Sequence, residues 1–495
     1  MRAEAGRRLP RRARVPRGGW CLGAGRAPQR WSASLRGARA WAGEAGGVEG
    51  PEEGAGEGPT TFVPRSPGIT DGAWDRRDEA AVREALQQSD KSAARETRRL
   101  EVGRRTGPLE VAGPLLGRSL PQMQALAEAL GWKKFRGQQL HTAVYKWGAR
   151  DLDGVRGLSE EHVAQLMAAG VTMGRAEIVQ TVESKDGTCK FLLKLGDGRV
   201  VETVGIPERS APGGKRGKGG REEGASPSSP SQGRLTVCVS SQVGCPMRCT
   251  FCATGKGGFA RSLLPHEIVD QVLTVRSHFD RRVSNVVFMG MGEPLLNLPN
   301  VLAAFRAINE DVGIGARSVT ISTVGVPNTL DRMAQEELQL TLAVSLHAPN
   351  QKLRETLVPS AKAYPLPALL EDCKRYFAKT GRRVSFEYTL MKGVNDGEDH
   401  AKQLAALLSK SGHRGAHVNL IPYNPVAESD YARPESVNAG KFKRVLEDLG
   451  ITASVRVTRG LDAAAACGQL RNEYQKTPME EVLPAGGTAV AALPS

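Results

Sequence analysis

The chain has 495 residues, 40% of them hydrophobic, too long for one ordinary domain and apolar enough to bury a sizeable core. Its formal net charge of +15 favours a polyanionic partner, nucleic acid first, because cations that neutralise phosphates release condensed counterions. Eight cysteines in so long a chain exclude a disulfide framework, and no run nears the roughly eighteen apolar residues that span a bilayer; a soluble protein of a reducing compartment, with no membrane partner, is expected.

Residues 1–43 are rich in Arg, Ala and Gly, with Arg2, Arg7, Arg8, Arg11, Arg12, Arg14 and Arg17 opposed only by Glu4. This is the composition of an organellar transit peptide, with a plastid expected ahead of a mitochondrion or the cytoplasm; the plainer reading is a basic tail. Acid returns at Glu44, where EAGGVEGPEEGAGEGP opens a flexible linker expected to reach residue 118. Over residues 119–172, LPQMQALAEALGW and EEHVAQLMAAG carry a helical period and predict a small helical accessory domain. Within it KKFRGQQLHTAVYKW mixes Lys133, Lys134 and Arg136 with Phe135, Tyr145 and Trp147, as expected where phosphates meet stacking rings. Read alone, an amphipathic helix with a solvated basic face is the simpler account.

Residues 173–207 predict a small β module of short strands joined by turns at Lys185-Asp186-Gly187 and Gly196-Asp197-Gly198. Residues 208–234 are too rich in Gly, Ser, Pro and charge to bury anything, so a disordered insertion is expected. From Leu235 to residue 474 the runs NVVFMG, SVTIST, LTLAVSL, VSFEYTL, HVNLIP and ASVRVT alternate with amphipathic segments. The fold class is therefore α/β, with parallel βαβ units forming a partial (β/α)6 TIM-like barrel whose ligands gather at the C-terminal strand ends. Residues 480–495 are expected to be a disordered tail.

Cys245, Cys249 and Cys252 stand in CPMRCTFC, three thiols in one short loop. A structural zinc site needs four ligands in paired knuckles, and Cys238, on an expected strand, is poorly placed to be the fourth. Three thiolates suit a [4Fe–4S] cluster that keeps one iron open for a chelating ligand. With Phe251 ahead of the third cysteine, the loop resembles the signature of the radical S-adenosylmethionine superfamily. Downstream, NVVFMG runs into MGMGEPLLN, where Gly290 and Gly292 let backbone approach a ligand and Glu293 suits its ammonium.

Further segments, VETVGIP, CVSSQVGCPMRCTFCATG, FMGMGEPLLN, SVTISTVGV, AVSLHA, EYTLMKGVND, NLIPYNP and the CGQL run after TRG, resemble RlmN-type adenosine C2-methyltransferases and their Cfr-type C8 relatives over Ser119 to Tyr474. Two departures are the 208–234 insertion and the alanines of DAAAACGQL. The resemblance implies a [4Fe–4S] cluster and S-adenosyl-L-methionine as cofactors, with rRNA, and for some members tRNA beside the anticodon, as substrate. It also implies an electron donor such as a flavodoxin or ferredoxin, and we expect a monomer. Cys467 would carry a methyl group as S-methylcysteine, Glu202 would take the ring proton, and Cys238 would release the product through a disulfide. Gly292, Glu293, Ser322, Ser345, Leu346, His347 and Asn424 would hold S-adenosylmethionine. Read singly, Glu202 is a solvated strand carboxylate, Cys238 and Cys467 are small buried hydrophobes, and His347 is a satisfied polar side chain. Cys21, Cys189 and Cys373 are left as packing. C8 methylation, or an RNA-binding assembly factor that has lost turnover, are the alternatives.

Overall fold

The computed structural model describes residues 111–208, 233–427 and 429–470, so the expected transit peptide, most of the linker, the inside of the insertion and the tail lie outside the described residues. Folded chain begins ahead of Ser119. Strand β1 (Gly113–Pro114) pairs in parallel with β2 (Val171–Thr172), and Leu115 and Leu116 are fully buried, which shortens the expected linker at its C-terminal end. Between these strands lie helices Leu120–Ala129, Phe135–His141 and Glu160–Ala168. Ser119 starts the first, its backbone amide donating to Gln122 Oε1 at 2.8 Å in a capping box.

This helical region is not set apart from the barrel. Met123, Leu126, Leu140 and Val144 belong to the same hydrophobic cluster as the barrel core. Polar ties reinforce the seam: a buried Arg175–Asp270 ion pair, His141 Nε2 at 2.7 Å from Asp311 Oδ1, and Arg276 Nη1 donating to Tyr145 O at 2.7 Å. Tyr145 is itself buried, its hydroxyl bonded to Gly117 N and Arg118 O, so it leaves the expected set of stacking rings. Phe135 and Trp147 remain exposed, under the guanidinium groups of Arg136 and Arg156 respectively.

Strands β3 (Glu177–Glu183), β4 (Cys189–Lys194) and β5 (Val200–Pro207) form the expected antiparallel meander. Its turns close as the sequence suggests, Asp186 Oδ1 accepting from Thr188 N at 2.9 Å and Asp197 Oδ1 from Arg199 N at 3.2 Å. The meander continues into the main sheet, because β5 pairs antiparallel with β6 (Leu235–Cys238). A short hairpin of β7 (Gln242–Gly244) and β8 (Phe259–Ser262) follows. Then β9 (Asn285–Phe288), β10 (Val319–Thr323), β11 (Thr341–Ser345), β12 (Val384–Leu390), β13 (His417–Pro422) and β14 (Thr452–Val455) each lie parallel to the strand before, β9 pairing back to β6.

The sheet has ten strands, with β14 and β3 at its unjoined ends, which is a partial TIM-like barrel with its meander attached. Seven strands are parallel. The one that the apolar runs did not mark is β6, only four residues long, with alternating rather than continuous burial. Helices such as Pro265–Phe279, Leu298–Glu310 and Leu366–Thr380 connect the strands. Among the described residues no helix is long and apolar enough to cross a membrane.

Candidate active site

The cysteine loop is held by its hairpin and by two distant segments. Gly244 has φ +78°, and a Cβ there would lie 2.0 Å from Gly258 O, the carbonyl that accepts from Cys245 N at 2.8 Å. Only glycine fits. Thr250 N donates to Leu357 O at 3.0 Å, Ala253 N to Gly468 O at 2.9 Å, and Thr254 Oγ1 to Leu470 O at 2.6 Å. Cys245, Cys249 and Cys252 all line one cavity of about 950 Å³, counting the space at its mouth. Burial first, and then the charge of neighbouring cysteines, Cys252 among them, pushes the Cys245 and Cys249 thiols well up, and a bound cation would oppose that.

Among the described residues no three His, Cys, Asp or Glu side chains gather as they would around a single metal ion. A four-iron cluster spreads its thiolates wider than one ion does, and an all-thiol donor set without a fourth ligand fits it.

The opposite wall of the cavity comes from C-terminal strand ends. After β9 the chain turns at Gly290, where a Cβ would meet Ser240 Oγ and the Val239 carbonyl at 2.8 Å, and at Gly292, with φ +102°, where it would meet Gln242 Cβ at 2.6 Å. These glycines are therefore required by packing against the loop after β6 as well as by any ligand. Glu293 is buried; its Oε1 and Oε2 accept from Leu295 N and Val324 N, each at 2.9 Å. Burial raises its carboxyl to about 7 against those two amides. A cation entering the cavity would draw it back to the carboxylate.

Ser322 and Ser345 line the cavity from neighbouring strands, their hydroxyls 3.4 Å apart. His347 also lines it, in the left-handed region at φ 58°, with Nδ1 accepting from Thr389 N at 3.1 Å and the ring edge-on to Phe251. Its pKa falls to about 3, through burial and then the charge of Arg354, so the ring is neutral. Leu346 is not among the residues lining the cavity: its side chain is in the core, its amide donates to Glu387 O and its carbonyl accepts from Arg354. Asn424 lines the cavity, but its Nδ2 donates to Cys467 O at 3.0 Å and its Oδ1 accepts from Arg433 at 2.9 Å. Its amide grips the Cys467 segment.

Cys467 is exposed to the cavity and also lines a second one, about 890 Å³, together with Cys238. Cys238 ends β6, its thiol pushed up to about 12 by burial and then by the charge of Cys467, with Arg456 opposing. Although the residue is exposed, desolvation of its sulfur at the cavity wall raises the Cys467 thiol too, again against Arg456.

The Cys467 segment is cradled by the meander. Asp186 Oδ2 accepts from Gly460 N at 3.0 Å, Ser184 donates to Asp462, and Lys190 Nζ donates to Ala464 O at 3.3 Å. Lys190 also sits 3.4 Å from Glu202 Oε1. Glu202 is buried and is not among the residues lining either cavity.

Three residues that sequence reasoning passed over belong here. Arg456 lines both cavities, 3.4 Å from Met289 Sδ and 3.8 Å from Glu387 Oε2. Glu387, buried on the cavity wall, pairs across strands with Ser345 and Asn419, its Oε1 accepting from Asn419 Nδ2 at 2.8 Å. Lys190 is the third. One signal existed for Glu387: it is the lone acid in the apolar strand VSFEYTL.

Comparison with known proteins agrees with this geometry. The radical SAM superfamily model matches residues 239–405, from the end of β6 through β12. A "Probable dual-specificity RNA methyltransferase RlmN" from Thermosynechococcus vestitus is 55% identical over 359 residues, 72% of this chain and 98% of that protein. Its namesake from Synechocystis sp. is 50% identical over 373 residues, 75% of this chain and 98% of that one. The crystal structure of a radical SAM methyltransferase from Sphaerobacter thermophilus superposes with a TM-score of 0.64 at 39% identity, covering 72% of this chain and 99% of that one. With relatives this similar covered almost end to end, and a [4Fe–4S] loop facing a site for S-adenosylmethionine, the chain belongs to the RlmN-type family of radical SAM RNA methyltransferases.

Proposed function

We propose that the chain methylates C2 of an adenosine in large-subunit rRNA, and of the adenosine beside the tRNA anticodon, through a methyl group carried on the sulfur of Cys467. The position of Cys467 carries this reading: it lines one cavity with the cluster cysteines and Glu293 and a second with Cys238. C2 of adenine is an electron-poor amidine carbon that does not attack a methyl sulfonium, so a carbon radical is the workable route.

The bound cluster and S-adenosylmethionine supply a deoxyadenosyl radical. This chain's residues then divide the remaining work. Glu293 receives the ammonium of S-adenosylmethionine; Ser322, Ser345 and the neutral His347 border the space for the rest of it. Cys467 must be a thiolate to accept the first methyl group, and Arg456 favours that form. Once the S-methyl group had lost a hydrogen atom to the deoxyadenosyl radical, its carbon would bond to C2 and a base would remove the ring proton. Cys238, as the thiolate, would then attack the Cys467 sulfur and break its bond to the carbon, which takes up a proton to become the product's methyl group while the surplus electron leaves for the cluster and the disulfide forms.

Glu202 is the proposed base, and its setting adds a condition. The Lys190 contact must break, or the Cys467 segment must move, before the carboxylate reaches substrate. Exposed Phe135 and Trp147, with their arginines, suit stacking on unpaired bases, and a looped target lets the adenine unstack into the pocket. The acid-poor residues 1–43 support import into a plastid, and we extend the proposal to a monomer reduced by a flavodoxin or ferredoxin.

Nucleoside mass spectrometry of rRNA and tRNA after anaerobic turnover tests the reading. It requires 2-methyladenosine with the wild-type chain and none with Cys467→Ala; 8-methyladenosine would refute the C2 assignment.

A further inference from the structure

Arg354, on helix Gln351–Leu357, has 1% of its surface exposed and is the largest fully buried side chain among the described residues. Its guanidinium donates only to carbonyls: Nε to Leu346 O at 3.3 Å, Nη1 to Tyr364 O at 3.5 Å, and Nη2 to Val324 O at 2.6 Å and Ser345 O at 3.4 Å. A buried cation surrounded by neutral acceptors is costly unless an anion lies close by.

The negative charges that would act on it most are those of Cys249, then Cys373 and Tyr364, and none of these is a carboxylate. Cys373 is fully buried, its thiol pushed up to about 12, and the buried Tyr364 phenol is raised too while it donates to Asp372. Both are neutral near pH 7. Cys249 differs, because a cysteine that ligates iron does so as the thiolate.

The backbone brings the two together. Leu357, at the end of the arginine's own helix, accepts from both Thr250 N at 3.0 Å and Thr250 Oγ1 at 3.3 Å, next in chain to Cys249. The helix that carries Arg354 is thus bonded directly to the cluster loop.

We propose that Arg354 is a built-in counter-charge for the [4Fe–4S] cluster: its fixed positive charge beside Cys249 makes the cluster easier to reduce. This rests on the cluster being held by Cys245, Cys249 and Cys252. A cluster bound by three thiolates is net negative and becomes more so on taking an electron. A cation held close in a low-dielectric interior therefore favours the reduced state. Arg354 lines neither cavity; it is a positioning residue that acts through the cluster, while its carbonyl contacts brace the segments carrying Val324, Ser345 and Leu346.

The test is an anaerobic potentiometric titration, followed by electron paramagnetic resonance, of the reconstituted full chain without S-adenosylmethionine. Arg354→Gln keeps amide donors but loses the charge, whereas Arg354→Lys keeps the charge and loses the planar fork. Cys373→Asp keeps the guanidinium and gives it a carboxylate partner. We expect Arg354→Gln and Cys373→Asp each to shift the one-electron equilibrium at least ~10-fold toward the oxidised cluster, ~59 mV lower. Arg354→Lys should stay within ~3-fold of wild type. If Arg354→Gln does not fold, Arg354→Lys titrated from about pH 7 to 10 decides the matter, because a buried ammonium loses its charge there: its potential should fall below that of wild type as pH rises, and a fall no larger than in wild type would overturn the proposal. Unchanged potentials in the folded charge-removing variants, or a fall with Arg354→Lys as large as with Arg354→Gln, would overturn the proposal and leave Arg354 a brace alone. Wild-type protein that binds no iron would instead refute the cluster itself.

Discussion

Gly292→Ala should weaken S-adenosylmethionine binding, by an amount that the local geometry bounds. The residue has φ +102°, where an L side chain is strained, and its new Cβ would lie 2.6 Å from Gln242 Cβ and 2.8 Å from Gln242 N. Strain of that kind costs about 1–3 kcal/mol. Overpacking against a buried neighbour adds about 1–3 kcal/mol.

Glu293, next in the chain, donates its amide to Gln242 Oε1 at 2.9 Å, so relief of the clash moves the carboxylate proposed to receive the ligand's ammonium. If only ~1.4 kcal/mol of the strain appears in binding, affinity falls about tenfold. Gly313→Ala is the control: φ is +80° but nothing lies within 4 Å of the added carbon, so it carries the backbone strain alone, and the residue lines neither cavity. Calorimetric titration of S-adenosylmethionine onto anaerobically reconstituted protein should show Gly292→Ala at least ~10-fold weaker than Gly313→Ala, with a lower melting temperature. Binding by Gly292→Ala within about twofold of wild type would refute the inference that this turn builds the ligand site.

Tyr145→Phe leaves Gly117 N and Arg118 O without their shared hydroxyl and should cost about 1–3 kcal/mol, read as a lower urea midpoint. Replacing Asp462 by Ala frees the Cys467 segment from Ser184 and the Lys185 amide; turnover should fall severalfold while the melting temperature hardly moves. For His347, whose folded pKa is about 3, the unfolded state binds a proton below about pH 6.5 that the folded ring refuses, so this group's stability contribution is lost as pH falls through that value. His347→Gln should flatten the acid side of the stability profile, measured by denaturation from pH 8 to 5. Glu293 works in the opposite sense: its carboxyl, raised to about 7, costs stability as pH rises from about 4.5, and Glu293→Gln should remove that slope.

Much of the site was legible because radical chemistry here depends on short local motifs. The spacing of Cys245, Cys249 and Cys252 and the glycine turn before Glu293 are each set by a loop a few residues long, and the strand runs fix which ends of the barrel carry ligands. What stayed hidden depends on contacts across hundreds of residues. No local pattern tells that the Ser184–Lys190 region of the β module cradles Gly460 to Ala464, or that Lys190 stands between that segment and Glu202.

The same holds for Tyr145, read as a stacking ring because aromatic and basic residues alternate around it, yet turned inward by a hydroxyl with two backbone partners. Arg354 offered no signal either. It reads as one more basic residue on a charged helix, and only its burial against four carbonyls sets it apart.

The most direct test of the central claim, that Cys467 carries the methyl carbon, is mass spectrometry of the protein and its RNA after anaerobic reaction with S-adenosylmethionine labelled at the methyl group. The account requires a labelled methyl on Cys467 before RNA is added and labelled 2-methyladenosine afterwards, with both lost in Cys467→Ala while the cluster's absorbance persists. Labelled 2-methyladenosine from Cys467→Ala would contradict it.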